Sequence, residues 1–441
     1  MKNNARLTCL VLAFLAQACV KMTDSAVSTI AKTDVASNAA TQAGVTTSFA
    51  TSVEICRVPI AAKPSSAFDL YTSAPSETGD YYVRYSCIER CTDWQQCLVP
   101  AYLNDGGKLI RQGRRPSESK SAVAFVVDGM AGHLVMTPDG EKTVLIHAGA
   151  GGTAYLYADA AAELEKRLPV RTVMVRWEKG YSGGVVQPPF PGPAFWGWYS
   201  RTTAEGTDIY QLSKRVAGVI DWVHSHIAGD AAFATSGCSM GTNATFLPVL
   251  WHGLDPIIDY QLFVGGPNMW DLNAHCGRRQ YASGHCDFDG MTACAADNEC
   301  NTAKTGSQCR KPASYAHIGD LFAEFANHVH NTDACNFSLP DDVAPYPPFD
   351  DSSMAFRGPA DWELDHPIDL IANINLPQTA DSKGGDEYWS LGEFTSIFAR
   401  IESEKNKRWH VLEGTNHCDA WFSGAAVEIL VERLSASDNE F

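Results

Sequence analysis

The chain has 441 residues, 45% of them hydrophobic and 19% charged, and a formal net charge of −17. Length and composition predict a soluble globular protein with one enlarged domain or two modest ones. The acidic balance excludes a nucleic-acid binder, which needs a basic face to displace phosphate counterions.

The N-terminus carries an export signal. Lys2 and Arg6 precede the apolar run LTCLVLAFLA, which is too short to span a membrane. Ala16-Gln17-Ala18 then supplies the small-x-small pattern of a signal peptidase site, directly before Cys19. Residues 1–18 read as a signal peptide. The product is expected to be secreted, periplasmic or anchored at the cell surface through a lipidated Cys19, for which LAQAC is an imperfect lipobox. Setting Cys9 and Cys19 aside from the 14 cysteines leaves 12, an even number suited to pairing in an oxidising compartment.

Residues 19–52 are rich in Ala, Ser and Thr and read as a tether. Residues 53–115 hold Cys56, Cys87, Cys91 and Cys97 in a strand-and-turn stretch. The spacing C-x3-C-x5-C without a nearby His is a poor zinc pattern, so disulfides are expected in this N-terminal extension.

From residue 116 strands and helices alternate. AVAFVVDG and TVLIHAG read as strands, TAYLYADAAAELEKRL as a helix and VRTVMVRW as a strand. The amphipathic helix DIYQLSKRVAGVIDWVHSHI, the strand AAFATSG, a helical stretch and the strand IIDYQLFVGG follow. Continuous apolar strands alternating with helices predict an α/β class: a mostly parallel sheet covered on both faces. Residues 274–350 break that rhythm with six cysteines, from Cys276 to Cys335, and read as an inserted lid. The core pattern returns over 351–441 with HPIDLIANI, SLGEFTSIFARIE, RWHVLEG and AAVEILVERL.

Gly237-Cys238-Ser239-Met240-Gly241 matches G-x-S-x-G, between the strand AAFATSG and a helical stretch. A nucleophile elbow needs that context, because a tight strand-to-helix turn lifts the serine Oγ above the sheet. A serine needs a base, and His417 lies in the loop after the last expected strand. The acid that would orient the imidazole is open among three aspartates, in the order Asp386, Asp381 and Asp361, the last in MAFRGPADW, which reads as a strand followed by G-x-x-D. Oxyanion donors are expected at the Met240 N–H and in the run His147-Ala148-Gly149-Ala150-Gly151-Gly152, where Gly149, Ala150 and Gly151 are equal candidates. Without H-E-x-x-H, metal catalysis is not expected, and no cofactor is called for.

If Ser239 and His417 meet, Cys238 and Cys418 come within disulfide reach. This Cys-Ser, Asp and His-Cys set resembles the CS-D-HC signature of the tannase/feruloyl esterase family. The resemblance implies a secreted serine esterase with an α/β-hydrolase core and a large lid, and it matches GGDEYW to the acid-bearing loop at Asp386. It also raises calcium at Asp287 and Asp289, against the simpler reading of a disulfide-pinned turn. Aromatic residues crowd the segments around the motifs, among them Trp270, Tyr388, Trp389, Trp421 and Phe422. The expectation is an exported serine carboxylic-ester hydrolase acting on small or polymer-attached esters of the feruloyl or tannin type. The alternatives are a lipase or polyester depolymerase on aliphatic esters, a serine peptidase, or a non-catalytic binding module on a hydrolase core.

Overall fold

The structure is a computed structural model that describes residues 53–56, 91–101, 120–147, 149, 157–177, 181–182, 185–186, 197–199, 207–267, 271–276, 278–279, 281–288, 291–310, 319–335, 344–357, 362–374, 391–403, 407–415 and 417–436. Residues 1–52, with the signal and tether readings and Cys19, lie outside them. No helix among the described residues is long and apolar enough to cross a membrane.

β1 (Glu54–Cys56) and β2 (Val99–Ala101) both pair antiparallel with β3 (Lys120–Val127), so the cysteine-bearing extension contributes strands to the main sheet. Within it Cys91 and Cys97 form a disulfide. β3 turns into β4 (Met130–Met136) through Asp128-Gly129, at φ 47° and 69°. β4 has no counterpart among the strands expected from the sequence, although Asp-Gly between apolar runs is a hairpin signal.

The alternating core follows: β5 (Lys142–His147), α1 (Ala158–Arg167), β6 (Val170–Trp177), a two-stranded ribbon of β7 (Tyr181–Ser182) and β8 (Val185–Val186), and α2 (Ile209–Val223). Then come β9 (Phe233–Cys238), α3 (Met240–His252) and β10 (Tyr260–Val264). α2 starts where Asp208 caps the Gln211 N–H at 2.6 Å, and it buries Ile209, Leu212, Val216, Val219 and Val223 on one face. After an inserted segment the core resumes with β14 (Trp362–Leu364), β15 (Ile368–Ile374), α8 (Leu391–Arg400), β16 (Ile401–Ser403), β17 (Lys407–Glu413), α9 (Asp419–Phe422) and α10 (Ala425–Ser435).

Ten strands form one sheet among the described residues, in the order β1-β3-β4-β6-β5-β9-β10-β15-β17, with β2 also on β3. The six from β6 to β17 run parallel, and those before them antiparallel. Strand side chains alternate between two cores. Val144, Ile146, Ala234 and Leu262 pack with α1 and α10, while Leu145, Phe233 and Phe263 pack with α2, α3 and α8. The fold is an α/β one, a mostly parallel sheet with helices packed on both faces.

The segment between β10 and β14 holds α4 (Leu272–His275), β11 (Gly284–Cys286), β12 (Ala293–Cys294), α5 (Asp297–Ala303), β13 (Cys309–Arg310), α6 (Gly319–His330) and α7 (Pro347–Asp350). Its own core of Cys286, Cys294 and Cys300 is small, and cross-links supply what burial cannot. Disulfides join Cys286 to Cys300, Cys294 to Cys309 and Cys276 to Cys335. At its base Arg279 bonds Asp271 at 2.8 Å and Asp350 at 3.0 Å, tying the start of the segment to its end. The stretch MAFR, expected as a strand before Asp361, forms turns instead.

Buried charge gathers near the N-terminal ends of the parallel strands. Asp369 of β15 is fully buried and accepts bonds from Tyr260 Oη (2.8 Å), His410 Nε2 (2.9 Å) and Arg433 Nε (2.5 Å). Burial alone would raise its carboxyl. The bonds from His410 and Arg433, with the Arg433 charge, hold it below the ordinary value.

Candidate active site

β9 ends at Cys238 and α3 begins at Met240, so Ser239 is the one-residue turn between them. Its backbone sits at φ 59°, ψ −130°, a region that costs a non-glycine residue about 1–3 kcal/mol. Neighbours hold it there. The Ser239 N–H donates to Val264 O at 2.9 Å, and Thr242 donates to Ser239 O through its N–H (2.9 Å) and Oγ1 (2.5 Å).

Glycine is demanded on either side of this turn. A Cβ at Gly237 would stand 2.4 Å from the Gly241 carbonyl oxygen, and one at Gly266 would stand 2.8 Å from Ser239 O. Both clashes are with backbone, so the strand, the helix and the following loop approach each other only without side chains. The sequence motif thus has the local form it needs.

His417 lies in the turn that follows β17, opened by Gly414 at φ 69°. Cys418 caps α9 at φ 64° and forms a disulfide with Cys238, with Cα atoms 5.6 Å apart. A nitrogen of the His417 imidazole lies within 4.8 Å of the sulfurs of both cysteines. Those sulfurs are bonded to each other and are not thiolate ligands. One Cα–Cα step from each cysteine puts the Ser239 and His417 Cα atoms at most about 13 Å apart. Two of the four non-glycine residues at positive φ among the described residues, Ser239 and Cys418, therefore flank one cross-link.

Two expected oxyanion positions can be placed. Met240 is the first residue of α3, so its N–H has no intrahelical acceptor. Gly149 packs on the serine: a Cβ there would lie 3.1 Å from Ser239 Cβ and 3.5 Å from its Oγ. Ala150 and Gly151 lie outside the described residues. The strand before this loop ends in His147, opposite Gly237 in register, and burial pushes its imidazole down to about 3. His147 is therefore neutral at neutral pH, and among the described residues neither ring nitrogen has a hydrogen-bond partner.

All three candidate acids, Asp386, Asp381 and Asp361, lie outside the described residues. Chain order still separates them. Asp381 and Asp386 fall between β15 and α8, after the strand that pairs with β17, whereas Asp361 precedes β15. The calcium reading fares differently at its one described residue. Asp287 Oδ1 accepts from Ser307 Oγ (2.6 Å) and the Gln308 N–H (3.1 Å), which ties it to the residues leading into β13. Asp289, the other aspartate of the calcium reading, is outside the described residues.

No protein-family model and no curated protein matches the chain. Among solved structures the chain is similar to a cold-adapted esterase from an Arctic intertidal metagenomic library, at 14% identity over 72% of this chain and 95% of that one, TM-score 0.34. An α/β-hydrolase from Penicillium sp. sh18 matches at 12% identity over 72% of this chain and 96% of its own, TM-score 0.39. Acetyl xylan esterase 1 from Thermoanaerobacterium sp. matches at 8% identity over 73% and 86%, TM-score 0.37.

Proposed function

We propose that the protein is an exported serine carboxylic-ester hydrolase that works through an acyl-enzyme on aromatic esters. The observation that carries the reading is the disulfide-joined pair of turns: a strained serine on one side, a histidine on the other, and Gly149 against the serine. In the sequence of steps, His417 takes the Ser239 proton as Oγ attacks the ester carbonyl carbon. The oxyanion accepts from the Met240 N–H and from a backbone N–H among residues 149–151, and collapse expels the alcohol with the proton from His417. Water, deprotonated by His417, then attacks the acyl-enzyme and releases the acid. Asp386, with Asp381 second, orients the imidazole from the segment between β15 and α8. The inserted segment acts as a lid. Export through residues 1–18 accords with a chain held by disulfides, and lipidation of Cys19 would tether it to a membrane.

Hydrolysis of a small panel by wild type and Ser239→Ala tests this. Turnover of methyl ferulate that falls at least about 10³-fold in the variant supports both triad and substrate class. Turnover of p-nitrophenyl acetate and octanoate alone keeps the triad and moves the substrate to general or aliphatic esters. Silence of folded, oxidised wild type across the panel overturns the reading.

A further inference from the structure

Phe422 is the most exposed large hydrophobic side chain among the described residues, at 60%. Exposed apolar side chains are ordinary when isolated, but this one is not isolated. Its ring centroid lies 5.7 Å from that of Tyr157, and Tyr157 in turn stacks on Trp421 at 5.2 Å with 24° between planes. Tyr157 and Trp421 are 3% and 1% exposed. The lower two rings are thus fixed in the core, and they hold the outermost one in place.

The three rings join the two elements that bound the candidate site. Tyr157 caps α1, which follows the Gly149 stretch. Trp421 and Phe422 end α9, whose cap is Cys418 of the cross-link. Four helical residues advance the chain by about 6 Å, so the Phe422 Cα lies at most about 12 Å from that of Cys238.

We propose that Phe422 is a specificity-determining residue: its ring forms an apolar wall beside Ser239 that takes the aromatic acyl group of the ester. This rests on the ester-hydrolase reading. An aromatic acyl group stacks on the wall, and an acetyl group is too short to reach it. Losing such a ring contact, together with the area it buries, corresponds to roughly tenfold in kcat/KM.

The test measures kcat and KM for methyl ferulate and methyl acetate in wild type, Phe422→Ala and Phe422→Trp. The expected result is a roughly tenfold fall in the ferulate-to-acetate ratio of kcat/KM in Phe422→Ala, carried by KM, with the ratio restored within about twofold in Phe422→Trp. An unchanged ratio, or a fall carried by kcat for both esters, overturns the proposal. Wild type that hydrolyses neither methyl ester nor p-nitrophenyl acetate fails at the earlier step, and the ester-hydrolase reading and the Phe422 proposal fall together.

Discussion

The two ends of the parallel sheet are built on opposite principles. At the C-terminal end, Ser239 and Cys418 are held at positive φ, glycines permit contacts that a single methyl would block, and one disulfide spans the two turns. At the N-terminal end, strain gives way to satisfied charge: Asp369 receives Tyr260, His410 and Arg433, and Gln261 joins Thr235, Thr245 and His366. Strain stored at one end has to be over-determined by structure around it. The buried networks and the continuous apolar strands between the two ends supply that structure.

The two ends should differ most at the cross-link. Closing a loop of 180 residues removes unfolded-state entropy worth up to about 5 kcal/mol. The double variant Cys238→Ala/Cys418→Ala should lose stability of that order in denaturant unfolding, and ester turnover with it. Loss of stability without loss of turnover in the remaining folded protein would separate the disulfide from the chemistry.

The opposite end should behave differently. Asp369→Asn leaves Arg433 and His410 facing a neutral group, and breaking a buried pair of this kind costs about 3–5 kcal/mol. Turnover per folded molecule should stay near wild type, because the change lies at the far end of the strands. The sign of the pH dependence follows from the depressed carboxyl. Its contribution is fully present above the unfolded value of about 3.9 and is lost as pH falls through the lower folded value. Wild type should lose this part of its stability below about pH 4, and Asp369→Asn should lack that loss.

His147 carries a buried titratable group to the site end of the sheet. Its imidazole is lowered from 6.5 to about 3 by burial, so below 6.5 the unfolded chain takes up a proton that the folded chain refuses. Stability is therefore lost as pH falls through that window, by about 1.4 kcal/mol per pH unit for one proton. His147→Leu should flatten the dependence of unfolding free energy on pH between 6 and 4 by that slope. An unchanged slope would mean that the imidazole is protonated in the fold.

The sequence made one of these ends legible and left the other hidden. The elbow is local: strand, G-x-S-x-G and helix are contiguous, and a cysteine beside Ser239 with another beside His417 pointed to the cross-link. The apolar runs VRTVMVRW and HPIDLIANI gave their strands directly. β4 escaped because MAGHLVM has the look of a loop with a glycine and a histidine in it, and only the preceding Asp-Gly betrays the hairpin. The Asp369 network was not legible. Its partners His410, Arg433 and Tyr260 lie 41, 64 and 109 residues away, and an aspartate within an apolar strand carries no sign of the arginine that will meet it. The expected strand before Asp361 is made of turns, because four mixed residues do not specify a strand without a pairing edge.

Everything proposed for this site depends on Ser239 being an activated nucleophile. A fluorophosphonate probe incubated with oxidised, full-length protein, followed by peptide mass spectrometry, tests it without assuming a substrate. One adduct is expected, on Ser239, and it should disappear in His417→Gln while the protein stays folded. An adduct on another serine, or no adduct on folded wild type, would contradict it.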